Sequence, residues 1–200
     1  MIIHDSGGER GLRERKKAKT RLLLRDCALR LFRERGYEGT TVEEIASAAE
    51  VSTSTFFRYF RAKEDVVLAD EYDPLLIEAF RAQPGAVRPL TAFRHALQEV
   101  LGDLPPVTRR ELHQRIALIQ SVPALRSAFL DQLADSLEPF EQLVAQRVGR
   151  QAGDPSVRLF AAAVLGVMIS VYLHGASEPD ADIVGALDQA LEALDAGLPF

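Results

Sequence analysis

Residues 36–67 read GYEGTTVEEIASAAEVSTSTFFRYFRAKEDVV, and the fold turns on how they are divided. Gly36 suits the end of a preceding helix, because glycine tolerates the left-handed backbone found there. Thr41 with Glu44 three residues on forms a capping box, and Val42, Ile45, Ala46 and Ala49 follow on one side at helical spacing. This short helix stops near Glu50, and Ser52 can cap the next one immediately. Two short helices so closely joined have helix-turn-helix spacing. At about 100° per residue, Phe56, Tyr59, Phe60 and Lys63 fall on one side of the third helix. Ser54, Phe57, Arg58 and Arg61 fall on the other. The first set can bury against the preceding helices. The second leaves an aromatic ring beside two cations, which a core does not explain. The small residues Ser52 to Thr55 keep the start of this helix narrow enough for a major groove, and its N–H groups favour phosphate.

Upstream, RERKKAKTR packs six cations between Arg13 and Arg21. It leads into TRLLLRDCALRLFRER, where Leu24, Ala28, Leu31 and Phe32 recur as one helical face. The charge is unevenly divided. Residues 1–63 hold 14 Lys and Arg against 9 Asp and Glu, whereas residues 64–200 hold 10 against 20, so the net −5 conceals a basic end. Such an end suits a polyanion, since Lys and Arg on phosphates release condensed counterions. With 47% hydrophobic residues the 200-residue chain has material for a real core. Cys27 is the only cysteine, which excludes an internal disulfide and a four-cysteine zinc site and fits a reducing, cytoplasmic setting. No apolar run of signal-peptide length stands at the N-terminus, so nothing argues for export.

The pattern G-[YF]-x-x-T-T-[VI]-x-x-I-A, a turn ending in V-S, then F-x-Y-F and K-E resembles the N-terminal DNA-binding domain of the TetR family of bacterial repressors. The resemblance is strong over residues 13–68; beyond them it rests on helical character and length. It implies an all-α protein. Residues 1–12 would be a disordered tail, 13–63 a three-helix helix-turn-helix domain, and 64–200 a larger helical ligand-binding and dimerisation domain. DNA contacts would come from Arg13, Lys16 and Lys17 in the basic arm, from Thr41, from Ser52, Thr53, Ser54 and Thr55, from Phe57 and Arg58, and from Lys63. This chain departs from the family where Tyr and His are common, at Phe57 and Arg58, and where Lys and Gly are common, at Thr53 and Ser54. The phenyl ring suits a thymine methyl, and the guanidinium suits guanine or phosphate.

Downstream, helical runs are separated by breakers. Pro74 should kink or split the helix that follows Lys63, and Pro139 should interrupt Ala124–Val148. Phe93, Leu97, Ile116, Phe129, Leu133 and Phe140 could line a pocket, with His95, His113 and Tyr172 as polar contacts to a small-molecule effector. LFAAAVLGVMISVYL, from Leu159 to Leu173, is apolar on all sides but short for a membrane span and without a basic anchor. Small residues Ala162, Gly166 and Ser170 recur every four positions, and the last helix aligns Ile183, Leu187, Leu191 and Leu194. These suggest a homodimer interface across two copies. STFFRYFRAKEDVVLADEYDPLL also resembles a subgroup of the family with acyl-CoA-like ligands. Neither an H-E-x-x-H pair nor a G-x-S-x-G elbow occurs, and no metal or cofactor motif is present. The alternative is a small helical binding protein or an enzyme using His113 and Glu111, without specific DNA binding.

Overall fold

The computed structural model describes residues 6–69, 72–174 and 182–198, with side chains from residue 15 onward. Ten α-helices and a short π-helical turn form, and no strand occurs among the described residues, which bears out the all-α expectation. The chain divides into two compact units, Met1–Ala69 and Asp70–Phe200.

In the first unit, α1 runs from Ser6 to Arg35. Residues 6–12, expected within a tail, are therefore helical in backbone; the run from Glu9 to Lys19 is rich in Arg, Lys, Glu, Leu and Ala, which favour helix. Residues 1–5 of that tail, and the side chain of Arg13, lie outside the described residues. Leu24, Cys27, Ala28, Leu31 and Phe32 are buried, the i, i+3, i+4, i+7, i+8 stripe that one helix face supplies. Gly36 ends α1 at φ 78°, its N–H donating to the Phe32 carbonyl. Then follow α2 (Val42–Ala48), α3 (Thr53–Tyr59) and α4 (Lys63–Leu68). Ile45, Phe56, Phe60, Val66 and Val67 complete this small core.

One expected feature is corrected here. Phe60 is extended, so α3 ends at Tyr59 and the helical period cannot place Arg61 or Lys63. The Asp65 carboxylate instead accepts the N–H groups of Arg61 and Ala62, at 2.7 and 3.2 Å, and starts α4 there.

The second unit comprises α5 (Asp73–Ala82), α6 (Pro89–Leu97), a π turn (Gln98–Gly102), α7 (Pro106–Ser121), α8 (Pro123–Val148), α9 (Pro155–His174) and α10 (Ile183–Asp195). Pro74 splits α4 from α5 by sitting in the first turn of α5, where its missing N–H costs nothing. Pro139 does not interrupt α8: buried Phe129 on one side and Leu143, Val144 and Ala145 on the other carry the helix through the lost bond. The core gathers Phe80, Phe93 and Phe140, with ring centroids 5.4 to 6.4 Å apart, around residues of α6, α8, α9 and α10.

The face of α10 expected at an interface packs on the core of its own unit. Ile183, Leu187 and Leu191 are 8%, 6% and 0% exposed, and Leu194 packs against the same core. Ion pairs hold it there: Arg94 binds Asp188 through two bonds of 2.8 and 3.1 Å, and Arg88 lies 2.9 Å from Asp195. By contrast α9 is the most apolar helix, long and apolar enough by length and composition to cross a membrane, yet only Val157, Ala161 and Val164 are buried. Ala162, Gly166 and Ser170 are exposed.

Candidate nucleic-acid interface

The exposed face of α3 is set by what lies under it. Phe56 is fully buried, which fixes the rotation of α3 about its axis, and Phe60, just beyond the end of the helix, is nearly so. The residues three and four apart on the opposite side, Ser54, Phe57 and Arg58, are then exposed. Phe57 is 53% exposed and meets Phe56 edge-on, with centroids 5.5 Å apart and planes at 86°. The Arg58 guanidinium rests 5.3 Å from the Tyr59 ring centroid, a weak tether at an exposed site.

The hydroxyls expected at the interface are already partly engaged. Ser52 Oγ accepts the Thr55 N–H at 3.1 Å and lies 2.9 Å from both Ser54 Oγ and Thr55 Oγ1. Ser52 and Ser54 are exposed, while Thr53 and Thr55 are partly buried. Thr41 Oγ1 accepts the Glu44 N–H at 3.2 Å, and the Thr41 N–H donates to Glu44 Oε2 at 2.9 Å. That backbone bond, then the nearby Arg35, holds the Glu44 carboxyl below its usual range. Thr41 is thus first a cap.

Lys63 has a structural task that spacing did not reveal. Its Nζ donates to the carbonyls of Tyr37 and Thr40, at 2.8 and 3.1 Å, and lies 3.9 Å from the Tyr37 ring centroid. It ties the start of α4 to the loop before α2, leaving one ammonium hydrogen for another partner. A clue was available in the sequence: Gly36-Tyr37 ends α1 and leaves carbonyls that a nearby cation can satisfy.

Positive charge is concentrated on α1. Residues 36–63 hold three Lys and Arg against four Glu, whereas residues 10–35 hold eleven against three acidic residues. Arg15, Lys16, Lys17 and Lys19 are all exposed. Arg21, not singled out from the sequence, covers the Phe60 ring at 5.5 Å and so joins this charge to the base of α3.

The residues expected to meet a ligand separate in the second unit. Phe93, Leu97 and Ile116 are buried, and His95 is exposed, with Nδ1 3.3 Å from Gln83 Oε1. Phe129 stacks on Tyr172 at 4.5 Å, and Gln120 Nε2 donates to the Tyr172 carbonyl, bringing α7, α8 and α9 together there. His113 lies two turns before Gln120 on α7, with a buried Nδ1, and Leu133 one turn beyond Phe129. No group of three or more His, Cys, Asp and Glu is arranged to hold a metal among the described residues.

Comparison with known proteins agrees with this geometry. The family described as "Bacterial regulatory proteins, tetR family" matches residues 24–69, and the MftR C-terminal domain family matches residues 87–199. The regulator TcmR of Streptomyces glaucescens is 32% identical over 92% of this chain and 86% of its own. The regulator MftR of Mycobacterium tuberculosis is 26% identical over 92% and 93%. A crystal structure of Thermus thermophilus FadR, a TetR-family repressor in complex with lauroyl-CoA, superposes with a TM-score of 0.53 at 25% identity, covering 90% of this chain and 95% of that one. Relatives named as transcriptional regulators, with DNA-binding and regulatory rather than enzymatic domains, set aside the His113–Glu111 alternative. Such regulators bind DNA operators and small-molecule effectors, typically as dimers. The chain is a helix-turn-helix transcriptional regulator that belongs to the TetR family.

Proposed function

We propose that this regulator represses transcription from a pseudo-palindromic operator, which it binds as a cytoplasmic homodimer and leaves when an acyl-CoA-like thioester enters the second unit. The observation that carries the operator reading is the exposed set Ser54, Phe57 and Arg58 on α3, anchored from behind by buried Phe56 and Phe60. Exposed cations of α1, among them Lys16 and Lys17, supply the attraction to phosphate that α2 and α3 lack. In this reading Arg13 joins them, Ser52, Thr53 and Thr55 set the entry of α3, and Thr41 and Lys63 position it.

The outward face of α9 is the dimer surface of this proposal. Leu159 is 72% exposed, and Ala162, Gly166 and Ser170 form an open stripe that lets a second helix approach closely. Two copies so joined would present their α3 helices to half-sites about one helical turn, roughly 34–36 Å, apart. The likeness to FadR, whose structure holds lauroyl-CoA, supports a thioester effector. The meeting of α7, α8 and α9 at Gln120, Phe129 and Tyr172 is where its acyl chain would act. To release DNA, the ligand must favour a mis-spaced dimer by about 3 to 5 kcal/mol.

Selection of bound sequences from random duplex by the purified protein tests this. A two-fold symmetric motif, bound more weakly in the presence of lauroyl-CoA but not of free coenzyme A, is the expected result. Enrichment of no sequence over random DNA would refute the operator reading.

A further inference from the structure

We propose that Phe57 reads the 5-methyl group of a thymine in the major groove, so that part of the operator code of this protein is a methyl contact. This rests on the operator reading above and assigns a base chemistry within it. Three observations point to it. Phe57 is 53% exposed while Phe56 and Phe60, its neighbours in the same segment, are 0% and 3% exposed. An isolated apolar side chain outside a protein is ordinary, but this one stands between Ser54 and Arg58 on the only outward face of a helix seven residues long. Its ring is also held in place: the edge-on contact with Phe56, 86° between planes, directs one face and one edge outward before any partner arrives. A phenyl ring with two side-chain torsions loses little freedom on docking.

The chemistry narrows the partner to one group. Phenyl has no donor for a phosphate oxygen and no donor or acceptor for a polar base edge, so in a groove lined by N7, O6, O4 and amino groups the thymine methyl is its apolar match. The adjacent Arg58 and the α1 cations favour the polyanion that carries such methyls, and α3 itself has no acidic residue to repel it. The contact therefore contributes selectivity with little dependence on salt.

Replacing thymine by deoxyuridine removes that methyl and nothing else. In a duplex selected by the protein, each thymine is exchanged in turn for deoxyuridine, and binding of the full-length native protein and of Phe57→Ala is measured. The native protein should bind about fourfold less tightly when one symmetric thymine is changed in one half-site, and about fifteenfold less when both are, the effect of roughly one buried methyl each. Phe57→Ala should not distinguish the two duplexes at that position, while keeping selectivity elsewhere. Equal binding of the native protein to thymine and deoxyuridine duplexes at every position, with sequence-selective binding intact, overturns the methyl assignment and leaves the operator reading standing. Loss of all sequence selectivity in the native protein overturns both.

Discussion

Arg147 joins α8 to the end of α5 and the loop after it, and its removal has a calculable consequence. From α8, its Nη1 donates to the carbonyls of Phe80 and Gln83, at 3.3 and 3.1 Å, and its Nη2 to those of Pro84 and Val87, at 2.6 and 3.0 Å. Phe80 lies in the last turn of α5 and Gln83 caps it, so the guanidinium sits where a helix leaves its carbonyls unpaired and its dipole favours a cation. The same group lies 5.1 Å from the Phe80 ring centroid. Replacement by methionine keeps the apolar stem and strands the carbonyls of Gln83 and Val87, both in partly buried bonds, while those of Phe80 and Pro84 keep the N–H groups of Gln83 and Val87. Each stranded carbonyl costs about 1 to 3 kcal/mol, less whatever water recovers. Against that stands the Arg147 Nε–H, buried without a protein partner, whose cost disappears with the side chain. A net loss of about 1 to 3 kcal/mol follows, and at about 2–4 °C per kcal/mol the unfolding midpoint should fall by roughly 2–12 °C. Arg147→Lys, with charge but no fork, should recover about half. Urea unfolding followed by circular dichroism measures both. A methionine variant within about 0.5 kcal/mol of the native protein would show that solvent satisfies these carbonyls equally well.

Glu50→Gly should stabilise the first unit by about 0.5 to 1 kcal/mol, read as a higher thermal midpoint, because Glu50 occupies the left-handed position (φ 55°) that ends α2 in the manner in which Gly149 ends α8. The Asp188 carboxyl is held below its ordinary range, chiefly by its hydrogen bond to Arg94. Its contribution is therefore complete above the unfolded aspartate value near 4, and is lost as pH falls through the lower folded one; Asp188→Asn should weaken the protein at neutral pH and flatten that acid limb in denaturation curves. Arg58→Ala should cost roughly 1 to 3 kcal/mol on the selected operator and relax preference at one position per half-site; unchanged selectivity would assign Arg58 to phosphate or solvent. Deleting residues 1–19 should lower affinity about equally on all sequences and reduce the salt dependence of binding, with no loss of fold, since Arg15 to Lys19 are exposed.

The residues whose roles were legible in the sequence are those governed by local rules. Thr41 and Glu44 cap α2 because the capping box needs only three-residue spacing, and Phe56 points inward because the helical period holds over the single turn that matters. The period failed where the helix stopped: Phe60 is extended, which no alternation announces, so Arg61 and Lys63 are placed by the Asp65 cap and by carbonyls more than twenty residues away. The apolar stripe of α10 was visible, but its partner was not. A stripe looks the same whether its own core or a second copy covers it, and here Arg94 on α6 and Arg88 just before it, about a hundred residues upstream, bind Asp188 and Asp195 and hold it against its own core. Pro139 misled for a related reason, since a local penalty of one hydrogen bond is small beside the burial on either side.

On the proposed operator reading, affinity and selectivity are carried by different residues, and the separation has a physical basis. The α2–α3 segment has an excess of one carboxylate, so it cannot draw itself to DNA. In that reading the eleven cations on residues 10–35 do so without regard to sequence. What α3 adds is shape and two unlike neighbours: Phe57, which exchanges nothing with salt, and Arg58, which must leave the Tyr59 ring to reach a base. Changes in α1 should therefore move all affinities together. Changes at Phe57 should reorder sequences without altering the slope against salt, because no counterion is bound or released there. A variant at Phe57 that changed the salt slope as much as a lysine variant of α1 would mean that the ring acts by displacing the phosphate contacts, and the division between the two elements would not hold.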